Sequence, residues 1–129
     1  TVGSKERGSY YRWLFFLAGP VESLFTAKQA GALAPPASAG YGSEADALRT
    51  LEQAVAGKAH LFGERFSAAD LYMAALLGFY LRTGVIEPRP AFVEFAQRHY
   101  ARPAAQRATA RDEELAKTYP HPLQPRAAA

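Results

Sequence analysis

Apolar residues along this chain recur with helical spacing, and nowhere do they alternate with the period of two that a half-buried strand needs. From about Lys5 the chain places Tyr10, Trp13, Leu14 and Leu17 at i, i+3, i+4 and i+7, with Tyr11 and Phe15 as a second aromatic stripe beside them. Pro20 must end or kink this helix. The pattern resumes at Val21, Leu24 and Phe25, so a kink is expected. Gly31 to Ser43, rich in Gly, Ala, Pro and Ser, reads as a loop. Ser43 then caps a second helix. Glu44 and Asp46 complement the dipole of its first turn, and Leu48, Leu51 and Val55 form its buried stripe. Thr83-Gly84 is a stop signal for the next helix, after which Pro88 and Pro90 set up another with Phe92, Phe95, Ala96 and His99 turned inward. Glu94 and Arg98 are spaced as a surface pair on it. Pro103 closes that helix and opens a last, mostly polar one that runs to about Lys117. Pro120, Pro122, Pro125 and the terminal alanines read as an extended tail. The expected fold is all-α, a bundle of about five or six helices joined by mostly short loops.

The stretch from Phe66 to Leu77 is the most determinate. Ser67 is placed to accept from the amide of Asp70 while the Asp70 carboxylate reaches back to the amide of Ser67, a capping box with Asp at the third helical position. Phe66 before the cap and Leu71 at the fourth position are spaced as a hydrophobic staple. A pure cap of this kind is worth roughly 1–2 kcal/mol. No charged residue occurs from Leu71 to Leu81, and apolar side chains point all round the helix, so it is expected to be enclosed by the bundle. The run is far short of the roughly 20 apolar residues of a membrane span.

The chain has 129 residues, enough for one domain, and 49% hydrophobic against 21% charged residues is a globular rather than a disordered balance. A formal net charge of +3, carried by thinly spread arginines, gives no basic patch for nucleic acid. The lack of cysteine excludes disulfides, thiol catalysis and thiolate-ligated metals in these residues. Trp13 to Ala18 follows Lys5, Arg7 and Arg12 as a signal sequence would, but the run is short and aromatic and has no small-x-small cleavage site after it. A buried helix stripe explains it better. The chain opens at Thr1, and its one Met is Met73, which reads as a processed chain, a fragment or a tagged product.

Candidate chemistry is sparse. His60, His99 and His121 lie far apart in sequence and share no ligand spacing with carboxylates, so no metal site is expected. There is no phosphate-binding Gly loop and no Gly-x-Ser-x-Gly elbow. Capping accounts for Ser67 and Asp70 without a catalytic role. The aromatic group Tyr10, Tyr11, Trp13, Phe15 and Phe16 is the feature most suggestive of a ligand, because so many rings in so short a span cannot all face one seam. A core and helix–helix interface is the simpler use of them. Tyr is the best pocket candidate, since its ring packs while its hydroxyl seeks a polar partner.

The run Leu61-Phe62-Gly63-Glu64-Arg65-Phe66-Ser67-Ala68-Ala69-Asp70-Leu71 resembles the capping-box and staple region that begins the core helix in the C-terminal domain of cytosolic glutathione S-transferases. Glu6-Arg7, Tyr10, Arg12-Trp13-Leu14 and Phe16 resemble the first helix of that domain in bacterial members. Pro90-Ala91-Phe92 through Tyr100-Ala101-Arg102-Pro103-Ala104 resembles its later helix, and together these cover roughly residues 5–110 in the right order. The resemblance implies that residues 1–4 end an interdomain linker, 5–117 form the helical C-terminal domain and 118–129 a tail. It further implies a thioredoxin-like N-terminal domain, outside these residues, that binds glutathione and ionises its thiol. That domain would have been removed by proteolysis or by the choice of expressed residues.

On that resemblance the chain supplies the pocket for a hydrophobic electrophile, with Tyr10, Tyr11 and Trp13 near it, and much of a homodimer interface. It carries no catalytic residue and binds no glutathione by itself; the expected setting is the cytoplasm, with neither nucleic acid nor membrane as partner. Some bacterial members place a His-Lys pair late in the first helix to reach glutathione, where this chain has Glu22-Ser23. An alternative implied function is a non-catalytic assembly module, as in transferase-like proteins of translation. A ligand-sensing regulator would need a basic helix-turn-helix that the chain lacks.

Overall fold

Helix follows wherever the apolar pattern and a start signal coincide. The computed structural model describes residues 3–119, which form α1 (Arg7–Phe16), a π-helical turn (Leu17–Val21), α2 (Glu22–Gln29), α3 (Glu44–Val55), α4 (Ala68–Arg82), α5 (Pro90–Tyr100) and α6 (Pro103–Thr118). Among the described residues there is no strand, only an isolated antiparallel bridge between His60 and Gly63. The all-α expectation holds. The expected tail from Pro120 lies outside the described residues.

Pro20 interrupts the α-helical pattern of the chain's first helical segment without ending it. Proline has no N–H to donate and its ring collides with the carbonyl four residues back. The backbone widens into a π turn at that point, and α2 continues directly. Leu17 and Val21, both 0% exposed, are the buried side chains of the turn, followed by Leu24 and Phe25 in α2. In α1, by contrast, no residue is fully buried.

The chain divides into a unit from Thr1 to His99 and a second from Tyr100 onward. The core of the first unit joins Leu17, Val21, Leu24 and Phe25 to Leu48, Leu51 and Val55 of α3, Met73, Leu77 and Tyr80 of α4, and Phe92 and Phe95 of α5. Phe25 packs on Tyr80 with ring centres 4.7 Å apart. Ion pairs tie the rim. Lys28 reaches Glu44 and the Val85 carbonyl, and Arg89 bridges Glu52 and Glu87. In the second unit, α6 starts with Pro103 in its first turn and buries no side chain.

The same Ser-x-x-Asp device starts α3 and α4. The Ser43 hydroxyl accepts from the Asp46 amide at 3.1 Å and donates to the Asp46 carboxylate at 2.6 Å. At α4 the capping box is complete: Asp70 Oδ2 accepts from the Ser67 amide at 2.8 Å and from its hydroxyl at 2.6 Å, while the Asp70 amide donates to Ser67 Oγ at 3.5 Å. Asp70 does more than a cap requires. It is 0% exposed, and its Oδ1 accepts from the Leu61 amide at 2.6 Å, fixing the loop before the helix.

The expectation that α4 is enclosed on all sides needs correction. Leu71 is 52% and Phe79 44% exposed, and Ala75 between them is exposed as well. These residues recur every four positions and so form one stripe, on the side away from Met73, Ala74, Leu77 and Tyr80. The lack of charge in the sequence therefore marks an apolar surface as well as a core face. Phe66 turns its ring to His60 and His99, at 6.0 and 5.5 Å between centres.

Removing the Asp70 side chain leaves two amides without their acceptor in a buried place. Asp70→Ala should lower unfolding free energy by about 2–4 kcal/mol, more than a cap alone, as read by urea denaturation. A second effect concerns Tyr72, whose hydroxyl donates to the Glu22 carboxylate and so joins α4 to α2. Burial, and then this bond, push its pKa from the ordinary 10.0 up to about 12. A raised folded-state pKa means that the bond's contribution is complete below pH 10 and is lost as pH climbs toward 12. Tyr72→Phe should cost up to about 1 kcal/mol at neutral pH. The gap in denaturation midpoint between the two proteins should close across that alkaline window.

Candidate functional site

The start of α1 and the loop from Lys58 to Ser67 face each other across a cleft. Gly63, with φ +78°, makes the turn that brings Phe62 back toward α1, where its ring lies 6.2 Å from that of Tyr10. The cleft has a volume of about 440 Å³. Tyr10 and Tyr11 form one wall and Phe62 and Phe66 the other, with Arg7 and Arg65 at the polar edge. Tyr10 meets Tyr11 edge to face at 5.5 Å, Tyr11 stacks on Phe15 at 6.2 Å, and the Arg7 guanidinium lies 4.9 Å over the Tyr11 ring. Phe15 is 70% exposed, so the aromatic row of α1 runs out onto the surface.

Trp13 lies elsewhere. It lines a second hollow of about 430 Å³ together with Arg12, Thr50, Gln53 and Lys58, and Phe62 belongs to both. The structure thus brings Tyr10 and Tyr11 together and separates Trp13, whose ring packs edge to face on Phe16 at 5.7 Å with the Arg12 guanidinium over it. Tyr11 and Trp13, two positions apart, diverge by about 200° around α1, so Trp13 faces the side closed by Thr50, Gln53 and Lys58 rather than the side that Tyr11 lines.

Neither hollow contains a nucleophile with a base. Ser67 borders the first cleft, but its hydroxyl is engaged on both sides by Asp70. Asp70 in turn stands between Ser67 and His60, whose Nδ1 is 4.0 Å from Asp70 Oδ1. A serine nucleophile needs the imidazole in the middle, not the carboxylate. What the first cleft can do is hold an apolar, ring-bearing molecule with its polar end toward the arginines. Glu22, where a glutathione-contacting pair would fall, is committed to Tyr72.

The linear reading missed two things. Phe62, Arg7 and Arg65 complete the cleft, and only the turn at Gly63 reveals it. The expectation that the histidines stand apart from carboxylates fails for His60 and His99. They converge on Asp70, with imidazole centres 5.3 Å apart, because α5 packs beside the start of α4. No sequence spacing announces that meeting.

Residues 21–103 fit the sequence model of the family described as "Glutathione S-transferase, C-terminal domain". No curated protein and no solved structure matches the chain significantly. The matched span runs from Val21 in the π turn through α5 to Pro103 and takes in the capping box, most of the core and the loop that walls the cleft. On that match and its all-helical fold, the chain belongs to the glutathione S-transferase C-terminal domain family.

Proposed function

We propose that this chain is the co-substrate-binding domain of a glutathione transferase. Its cleft receives a hydrophobic electrophile while a thioredoxin-like domain outside these residues holds and ionises glutathione. The observation that carries this reading is the aromatic cleft of Tyr10, Tyr11, Phe62 and Phe66, formed within a chain of this family. Such a wall excludes water from an apolar ring and lets the attacking thiolate meet it from the open side. The domain itself supplies orientation and desolvation, and the thiol chemistry lies in the other domain. The working protein is a cytosolic homodimer, for which the exposed Tyr11–Phe15 pair offers apolar surface. Among the described residues no helix is long and apolar enough to cross a membrane.

A second reading, a non-catalytic assembly module, draws support from the open stripe Leu71, Ala75 and Phe79 on α4. The two readings part in the intact protein. If the enzyme reading holds, Phe62→Ala should raise KM for an aromatic electrophile by about tenfold, the value of one lost aromatic contact, and leave KM for glutathione within about twofold. An intact protein that shows no glutathione-dependent turnover of any electrophile would favour the assembly reading. The 129-residue chain alone should pass unretained over immobilised glutathione. Retention that free glutathione competes away would place the thiol site here instead.

A further inference from the structure

Asp70 is a fully buried carboxylate whose bonded donors, the Leu61 amide and the Ser67 amide and hydroxyl, are all neutral. Among the described residues, no Lys or Arg pairs with it. The basic group facing it is His60, and Nδ1 of that ring, shut off from solvent, has no hydrogen-bond partner among them. Its 4.0 Å distance from Asp70 Oδ1 is too long for a hydrogen bond. His99, 3% exposed, closes the third side, and one ligand atom from each of His60, Asp70 and His99 lies within 4.8 Å of the other two.

We propose that these three residues form a site for a divalent transition cation of the zinc class. Two imidazoles and a carboxylate are the donor set of zinc sites that keep a fourth position for water. Metal–nitrogen bonds of about 2.0–2.1 Å in a tetrahedron put neighbouring ligand atoms about 3.3–3.4 Å apart. The ligand atoms must therefore draw in by up to about 1.5 Å, within the reach of side-chain rotation. His60 sits on the loop between α3 and α4, and its side chain is 20% exposed, which provides a way in. The carboxylate is already oriented by the Leu61 and Ser67 bonds, as metal-ligating carboxylates generally are. A cation there cancels the buried charge of Asp70 and ties the loop to both α4 and α5. That loop carries Phe62 and Phe66, so the metal would stiffen one wall of the aromatic cleft. The site does not depend on the transferase reading.

The test is a Co²⁺ titration of the metal-free 129-residue chain, followed by displacement with Zn²⁺. The expected result is stoichiometric uptake with the strong visible bands of Co²⁺ in a low-coordinate site, lost on adding Zn²⁺. Zn²⁺ should also raise the thermal midpoint. His60→Ala should weaken Co²⁺ binding by at least about tenfold with the helical circular dichroism retained, and His121→Ala should leave it unchanged. If His60→Ala does not fold, His60→Gln, which keeps the volume, takes its place. A spectrum that stays that of the hydrated ion would overturn the proposal. So would binding that survives loss of the His60 imidazole, or binding that disappears with His121.

Discussion

The Asp70 carboxylate is held by hydrogen bonds to residues on both sides of a turn, and much of the domain follows from that. One oxygen fixes the amide and hydroxyl of Ser67 and so sets where α4 begins; the other fixes Leu61 and so sets how the preceding loop returns. Because the group is fully buried, each of these bonds is made away from competing water, and each lost partner would be left unsatisfied. With α4 anchored at its first turn, Met73, Leu77 and Tyr80 arrive in phase against the side chains of the other helices. The aromatic cleft depends on the same anchor, since Phe62 and Phe66 belong to the loop that Asp70 holds.

What could be seen in the sequence was whatever is local. The Ser43 and Ser67 caps, the stop at Thr83-Gly84, the Pro103 start of α6 and the Glu94–Arg98 pair all span five residues or fewer, and the structure contains each of them. The inward faces of α3 and α5 followed from spacing alone. Three features needed distant parts of the chain. Leu71 and Phe79 stay open because burial depends on how many neighbours a helix has, and apolar character cannot count them. His60 and His99 meet because two helices pack. Trp13 lines a hollow apart from the tyrosines because Thr50, Gln53 and Lys58, distant in sequence, form its other side.

The surface is divided in the same way. The chain provides shape and apolar contact through α1 and the loop that Asp70 holds, and its hydroxyls and carboxylates are mostly occupied in holding the fold. Ser67, Asp70, Tyr72 and Glu22 each have a structural partner. Tyr10, Tyr11 and Trp13 take no part in those bonds, so a substitution among them leaves the start signals of α3 and α4 in place.

The wide turn at Pro20 has a consequence for the helix that contains it. An extra residue in one turn offsets everything after it by about 100° relative to an uninterrupted helix. The segment from Arg7 to Gln29 is therefore two helices joined without a break but in different phase. The phase break lets the second half commit Leu24 and Phe25 to the interior while the first half leaves Tyr11 and Phe15 exposed.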